Sequence, residues 1–272
     1  MPDNRAIGIF DSGLGGLTVV REIIKLLPDE NIVYFGDTGR VPYGTKSKET
    51  IKKYAAQDEK FLLENNVKLI VAACGTVSSV ASEGTENLPV PFIEVVSHSV
   101  KEAVRVTKNK KIGVIATAAT IKSHAHKKKI LECLPDAQVV ENSGTLLVPL
   151  VEEGWISSSD TVVIETVKRY LAPMISSGVD TLILGCTHFP LLYDAIKKVM
   201  GENVQIINMG TAAAKAVKET LEASHRLNAQ KQTPECKFYV SDKTPAFEKC
   251  ATLLLGETIN DNNVEQVDIN GL

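Results

Sequence analysis

Long hydrophobic runs are missing from this 272-residue sequence. No stretch approaches the roughly 18 consecutive apolar residues that a membrane-spanning helix needs. The N-terminus, MPDNRAIGIFDSG, lacks the charged start and extended apolar core of a secretory leader, so a cytoplasmic protein is expected. An excess of positive charge is missing too: 30 Lys and Arg stand against 33 Asp and Glu, a formal net charge of −3. That balance argues against a nucleic-acid partner, which would leave a basic patch or stripe. Closely paired cysteines are absent. Cys74, Cys133, Cys186, Cys236 and Cys250 are odd in number, widely spaced and without a C-x-x-C. They read as free thiols, not as a disulfide framework or a redox dithiol. No G-x-G-x-x-G dinucleotide fingerprint occurs. The one Cys-x-His, Cys186 to His188, has no second pair at zinc-ligand spacing. Neither a metal nor an organic cofactor is expected.

What the sequence does contain is strand–helix alternation. Short apolar, β-branched runs predict strands at Ala6–Phe10, Ile32–Phe35, Leu69–Ala73, Phe92–Val96, Ile112–Ala116, Gln138–Val140, Thr181–Leu184, Val204–Ile207 and Lys237–Val240. Helical periodicity lies between them, at Leu17–Leu27, Lys48–Asn65, Val77–Glu83, Ser97–Val106, Ile121–Leu134, Ser159–Ser176, Leu191–Val199, Thr211–Leu227 and Pro245–Leu254. Such alternation predicts an α/β fold of parallel sheets covered by helices. The order of elements from Ile112 nearly repeats the order from Ala6, although residue identity does not. Two similar α/β domains related by a pseudo-twofold are expected, with the active site in the cleft between them. Residues 1–97 plus 207–272 form one domain, the chain returning to complete it, and residues 98–206 form the other.

In open parallel sheets, ligands bind beyond the carboxyl ends of the strands. Four segments fall there. FDSGLGG (Phe10–Gly16) follows a strand and opens a helix: an anion-binding turn with Asp11 and Ser12 at the strand end, or a tight turn with glycines for packing. GDTGRVPYG (Gly36–Gly44) is a turn-rich loop in which Pro42 fixes the backbone and Tyr43 and Gly44 offer a hydroxyl and N–H groups. VAACGTVSS ends an apolar run in Cys74-Gly75-Thr76, and LILGCTHFP ends another in Cys186-Thr187-His188.

A lone cysteine at a strand end is usually a small buried hydrophobe. Two of them, each followed by a threonine before a helix, point to chemistry. A helix N-terminus lowers a thiol pKa from about 8.5 toward neutrality, so activated thiolates are expected. His188 could polarise Cys186 or relay its proton. Glu152, in PLVEEGW, reads by itself as a solvated carboxylate, as does Glu153. His98, His124, His126 and His225 read as surface residues, and HAHKKK (124–129) as an exposed basic helix face. Cys133, Cys236 and Cys250 read as packing.

Two matched thiols narrow the chemistry. A cysteine hydrolase using Cys186 and His188 would need only one, and an anion-binding module would need neither. Inverting a stereocentre without a cofactor needs both: one thiolate removes a proton from one face while one thiol delivers a proton to the other.

DSGLGG, GDTGRVPYG, PLVEEG and LGCTHFP, in this order, together with the C-terminal FYVSDKTPAFEKCATLLLG, resemble the glutamate racemases of the aspartate/glutamate racemase family. The resemblance spans nearly the whole chain. It implies cofactor-independent interconversion of L- and D-glutamate, with the D-isomer feeding peptidoglycan synthesis, and a homodimer. The alternatives are racemisation of another acidic amino acid such as aspartate, or a cysteine-dependent hydrolase or lyase using Cys186 and His188. Cys74 and Cys186 match the two catalytic thiols, Asp11 and His188 the residues assisting each, and Glu152 a supporting carboxylate. Asp11, Ser12, Pro42, Tyr43, Gly44, Gly75, Thr76, Thr187 and His188 fall in the substrate-contacting motifs. Some members respond to cell-wall precursors through an N-terminal extension. With ten residues before Asp11, none is expected here. The family commonly has asparagine where this chain has Gly75. The glycine is expected to leave room that an asparagine amide would fill, so Gly75→Asn is expected to be tolerated.

Overall fold

A computed structural model of the chain describes residues 1–81, 85–229, 233–243, 247–256 and 264–271. Along the chain run β1 (Ile7–Asp11), α1 (Leu17–Leu26), β2 (Ile32–Gly36), α2 (Lys48–Glu64), β3 (Leu69–Ala72), α3 (Gly75–Val80), β4 (Phe92–Glu94) and α4 (Val95–Val106). Then come β5 (Lys111–Ala116), α5 (Ala118–Ser123), α6 (Ala125–Cys133), β6 (Gln138–Ser143), α7 (Leu147–Glu152), α8 (Thr161–Ser177), β7 (Thr181–Gly185), α9 (Tyr193–Met200) and β8 (Gln205–Asn208). The last elements are α10 (Met209–Ala223), β9 (Cys236–Val240), α11 (Phe247–Leu255) and β10 (Val264–Gln266).

The strands form two sheets, one ordered β10-β9-β2-β1-β3-β4 and the other β6-β5-β7-β8. Every described pairing is parallel. The four strands β2-β1-β3-β4 and the four strands β6-β5-β7-β8 thus share one winding order, which is the element repeat seen in the sequence. β1, β2, β3 and β7 are buried at every residue, because helices cover both faces of a parallel sheet. One apolar cluster extends from the first sheet through α1, α10 and α4 to the second sheet, joining Ile9, Val20, Val100, Val217 and Val114. A second cluster packs α2 against the far face of the first sheet, with Phe10, Phe35, Ala55 and Leu62. Among the described residues no helix is long and apolar enough to cross a membrane.

Some boundaries differ from the sequence reading. The helix expected over Ile121–Leu134 is two helices, because His124 adopts a left-handed conformation (φ 54°) between them. Its imidazole pairs with Glu141 at 2.6 Å, and Ser123 Oγ accepts the Ala125 N–H. β8 runs to Asn208, so the return of the chain at 207 lies inside a strand of the second sheet. The short strand β10 carries too little pattern to be seen in sequence. The helix expected over Val77–Glu83 begins at Gly75 instead, and Ser82 and Glu83 lie outside the described residues. Pro245, the expected start of the last helix, also lies outside them.

Candidate active site

The carboxyl ends of the two sheets face each other, and the four sequence segments meet there. Asp11 is the last residue of β1 and is almost wholly buried. Its Oδ2 accepts the Gly13 N–H at 3.0 Å, while Oδ1 has no partner among the described residues. Burial raises its pKa. The His188 charge and N–H groups of the following turn oppose that rise. Ser12 Oγ lies 3.2 Å from Cys74 Sγ. Cys74 follows β3 and caps α3.

Across the cleft, β7 ends at Gly185 and Cys186 follows it. His188 Nδ1 is 3.8 Å from Cys186 Sγ, and His188 Nε2 is 3.1 Å from Glu152 Oε1, at the end of α7. Burial works against a charged imidazole here. Hydrogen bonds to Cys186 and Glu152, and their charges, outweigh it and raise the His188 pKa to about 10. At neutral pH the ring is therefore an imidazolium facing the Cys186 sulfur.

The two thiols stand in different fields. Burial and then the Asp11 carboxylate push the Cys74 thiol up to about 12. The lowered pKa expected from its helix position is not found, because burial and the Asp11 charge outweigh the hydrogen bonds from Ser12 and the Val77 N–H that favour the thiolate. One side thus carries a neutral thiol and the other a thiol against a cation. That asymmetry is what proton removal on one face and delivery on the other requires.

Contact between the units is close. Thr18 Oγ1 lies 2.8 Å from the Thr187 carbonyl oxygen. A Cβ at Gly15 would sit 2.2 Å from Thr187 Oγ1 and 2.6 Å from His188 Cε1, so only glycine fits. A Cβ at Gly75 would sit 2.5 Å from the Gly185 carbonyl oxygen. The space expected beside Cys74 is filled by backbone of the other unit, which runs against the expected tolerance of Gly75→Asn.

Residues 7–217 match the Asp/Glu/Hydantoin racemase family. The chain belongs to that family. It is 42% identical to a glutamate racemase of Syntrophus aciditrophicus over 98% of each chain, and 44% identical to one of Neisseria meningitidis over 97% of each. It is also similar to the crystal structure of glutamate racemase from Francisella tularensis in complex with D-glutamate. That match has a TM-score of 0.92 at 38% identity and covers 99% of this chain and 100% of that one.

Other sequence-predicted residues fall as follows. Pro42 and Gly44 lie in a loop whose Val41–Pro42 peptide is cis. Gly44 faces Thr117: a Cβ there would lie 3.8 Å from Thr117 Cβ. The Tyr43 hydroxyl does not reach the cleft, because it is buried and donates to Asp37 with Asp58 nearby. Burial and those carboxylates raise its pKa far above the ordinary tyrosine value. Thr76 Oγ1 meets Thr117 Oγ1 at 3.0 Å, and Thr117 Oγ1 meets Thr120 Oγ1 at 3.0 Å. Thr117 and Thr120 were missed in sequence. The available signal was position: Thr117 follows β5 as Ser12 follows the equivalent strand β1.

His126 is buried, not exposed, and neither ring nitrogen has a partner among the described residues. Cys133 is exposed and is not a packing residue. Among the described residues no group of three or more His, Cys, Asp or Glu could hold a metal ion.

Proposed function

We propose that the chain is a glutamate racemase in which Cys186 and Cys74 act on opposite faces of the α-carbon. The observation that carries this is the pair of thiols on facing strand ends, one beside an imidazolium and one held neutral by burial and by the Asp11 carboxylate beside it. The Cys186 thiolate takes the α-proton of L-glutamate. The Cys74 thiol delivers its proton to the opposite face of the carbanion, giving D-glutamate and a Cys74 thiolate. After D-glutamate leaves, loss of the proton from Cys186 to solvent and uptake of one by Cys74 restore the resting state; the D-to-L reaction runs from the opposite protonation state, with Cys74 as thiolate and Cys186 as thiol. His188, oriented by Glu152, supports charge on Cys186, whereas the Asp11 carboxylate, with burial, keeps Cys74 protonated and ready to deliver its proton. Asp11 Oδ1, buried without a protein partner, is left to meet the substrate ammonium or the thiol. Ser12, Pro42, Gly44, Gly75, Thr76 and Thr187 line the bound glutamate. Tyr43 contributes through backbone N–H.

No cofactor takes part. The D-isomer feeds peptidoglycan synthesis, the location is cytoplasmic, and the assembly is a homodimer. The chain is read as two domains, 1–97 completed by the returning C-terminal part and 98–208, the return being placed after 208 instead of at 207 because β8 runs to Asn208.

The test uses both enantiomers of a glutamate analogue with a good β-leaving group, which needs only proton removal. Cys74→Ser should eliminate from the L-side analogue alone, Cys186→Ser from the D-side analogue alone, and both should lose nearly all racemisation. A single variant that racemised glutamate near the wild-type rate, or eliminated both analogues equally, would remove the thiols from this role.

A further inference from the structure

The lysines of HAHKKK do not simply face solvent. Lys128 and Lys129 on α6, with Lys122 on α5, form one wall of an open cleft of about 570 Å3. The other wall comes from the first unit, with Lys46 and Lys48 at the start of α2. Five lysines that are far apart in sequence therefore share one cavity, and Glu132 is the single carboxylate lining it. Lys129 lies 3.8 Å from Glu94, outside the lining. Lys46, Lys122 and Lys128 have no carboxylate partner among the described residues. In a chain whose net charge is −3, this concentration runs against the average of the surface.

We propose that this cleft binds a small polyanion carrying adjacent phosphate groups. Size and charge select that class. The volume falls within the roughly 300–1,000 Å3 of small-molecule sites. The negative remainder of the protein repels a long nucleic acid, which needs a continuous basic track. The lining offers ammonium point charges and no guanidinium fork, so it suits clustered phosphate charge better than planar carboxylates. The N-terminal end of α2, capped by Ser47, adds the positive end of its dipole.

The site also reaches the glutamate cleft. Lys46 follows directly on the turn Tyr43–Thr45, whose Gly44 faces Thr117, and Lys122 lies one turn beyond Thr117 on α5. A ligand held by both walls tethers the Pro42–Gly44 loop to the threonine cluster. Its binding and glutamate binding then strengthen each other by the same factor. This coupling rests on the proposed racemase reading; the binding site does not.

The experiment is calorimetric titration of the full chain with inorganic tripolyphosphate, at two ionic strengths, with and without D-glutamate. One-to-one binding that weakens with salt is expected, and D-glutamate should tighten it. The triple variant Lys46→Gln/Lys122→Gln/Lys128→Gln should weaken binding about tenfold or more. Its thermal midpoint and its racemisation without tripolyphosphate should stay unchanged. The control triple variant Lys25→Gln/Lys60→Gln/Lys168→Gln should bind as wild type. Equal weakening in both triple variants, or binding without fixed stoichiometry, overturns the site. Competition by D-glutamate also overturns it, placing the polyanion in the substrate cleft. One-to-one binding with no change in the KM for glutamate overturns the coupling alone, and absence of racemisation under all conditions overturns the function and not the cleft.

Discussion

At Gly75 one added carbon would lie 2.5 Å from the Gly185 carbonyl oxygen and 3.3 Å from Met209 Cε. The carbonyl is backbone at the end of β7 and cannot swing aside, so the two strand ends must move apart. Displacements near 1 Å between reacting groups cost on the order of 10²-fold in rate. Gly75→Ala and Gly75→Asn are both expected to lower kcat/KM by about tenfold or more, read in a racemisation assay beside a thermal melt. Wild-type activity in either variant would show that the units separate freely at this point. Glu152 acts more gently, since its side chain is half exposed. Its carboxylate helps to hold the His188 pKa at about 10, well above the ordinary histidine value. In Glu152→Gln the imidazolium loses that partner and deprotonates at lower pH. The alkaline limb of kcat/KM should therefore move down by about one pH unit, while the profile near pH 7 changes little. A limb that stays in place would separate Glu152 from His188 protonation.

The α6 helix shows how an element can hide a residue inside a charged run. His126 and Ile130 are one helical turn apart and both are buried, while Lys127 is exposed and Lys128 lines the open cleft. His126 lies against β7: a Cβ at Gly185 would sit 3.4 Å from its Cε1. Burial first, and then Lys129, lowers the His126 pKa to about 4. The folded chain therefore holds it neutral while the unfolded chain protonates it below about pH 6.5. Its contribution to stability is complete above that pH and is lost progressively as pH falls toward 4. His126→Leu removes the loss. The variant should match or exceed the wild type in denaturant melts at pH 7, and its advantage should grow by about 3 kcal/mol between pH 6.5 and 4. An advantage independent of pH would mean that the imidazole is protonated in the folded state.

For the molecule as a whole, the facing sheets impose symmetry on the chemistry without making the two sides alike. The thiol beside Asp11 and the thiol beside His188 differ in field, yet L- and D-glutamate have equal free energies in solution. Catalytic efficiency must then be equal in the two directions for the wild type and for every variant, however unevenly a substitution damages the half-reactions. Circular dichroism followed from each enantiomer checks this for Gly75→Ala and Glu152→Gln. Unequal efficiencies beyond experimental error would show that the reaction being followed yields something other than the enantiomer. The single apolar cluster running from sheet to sheet through α1, α10 and α4 supports this arrangement, because it links the thiol-bearing ends through packed side chains instead of a loose tether.

Local chemistry in the sequence was enough to fix the alternation of strands and helices, the repeated element order, and the position of Cys74 and Cys186 at strand ends. These follow from apolar periodicity and from turns that a glycine- and hydroxyl-rich segment makes by itself. Glu152, an ordinary surface carboxylate by pattern, could be singled out only through its motif. Its pairing with His188 required α7 to pack beside the end of β7. The direction of the Cys74 shift, the bonding of the Tyr43 hydroxyl to Asp37, the burial of His126 and the meeting of Thr76 with Thr117 were decided by tertiary structure. So was the gathering of Lys46 and Lys48 with Lys122, Lys128 and Lys129. In each case the partner lies on another element, and neither desolvation nor a neighbouring charge is encoded in local periodicity. Gly75 is the sharpest instance: the sequence shows a missing side chain, and only the approach of Gly185 from the other sheet shows that the vacancy is already filled.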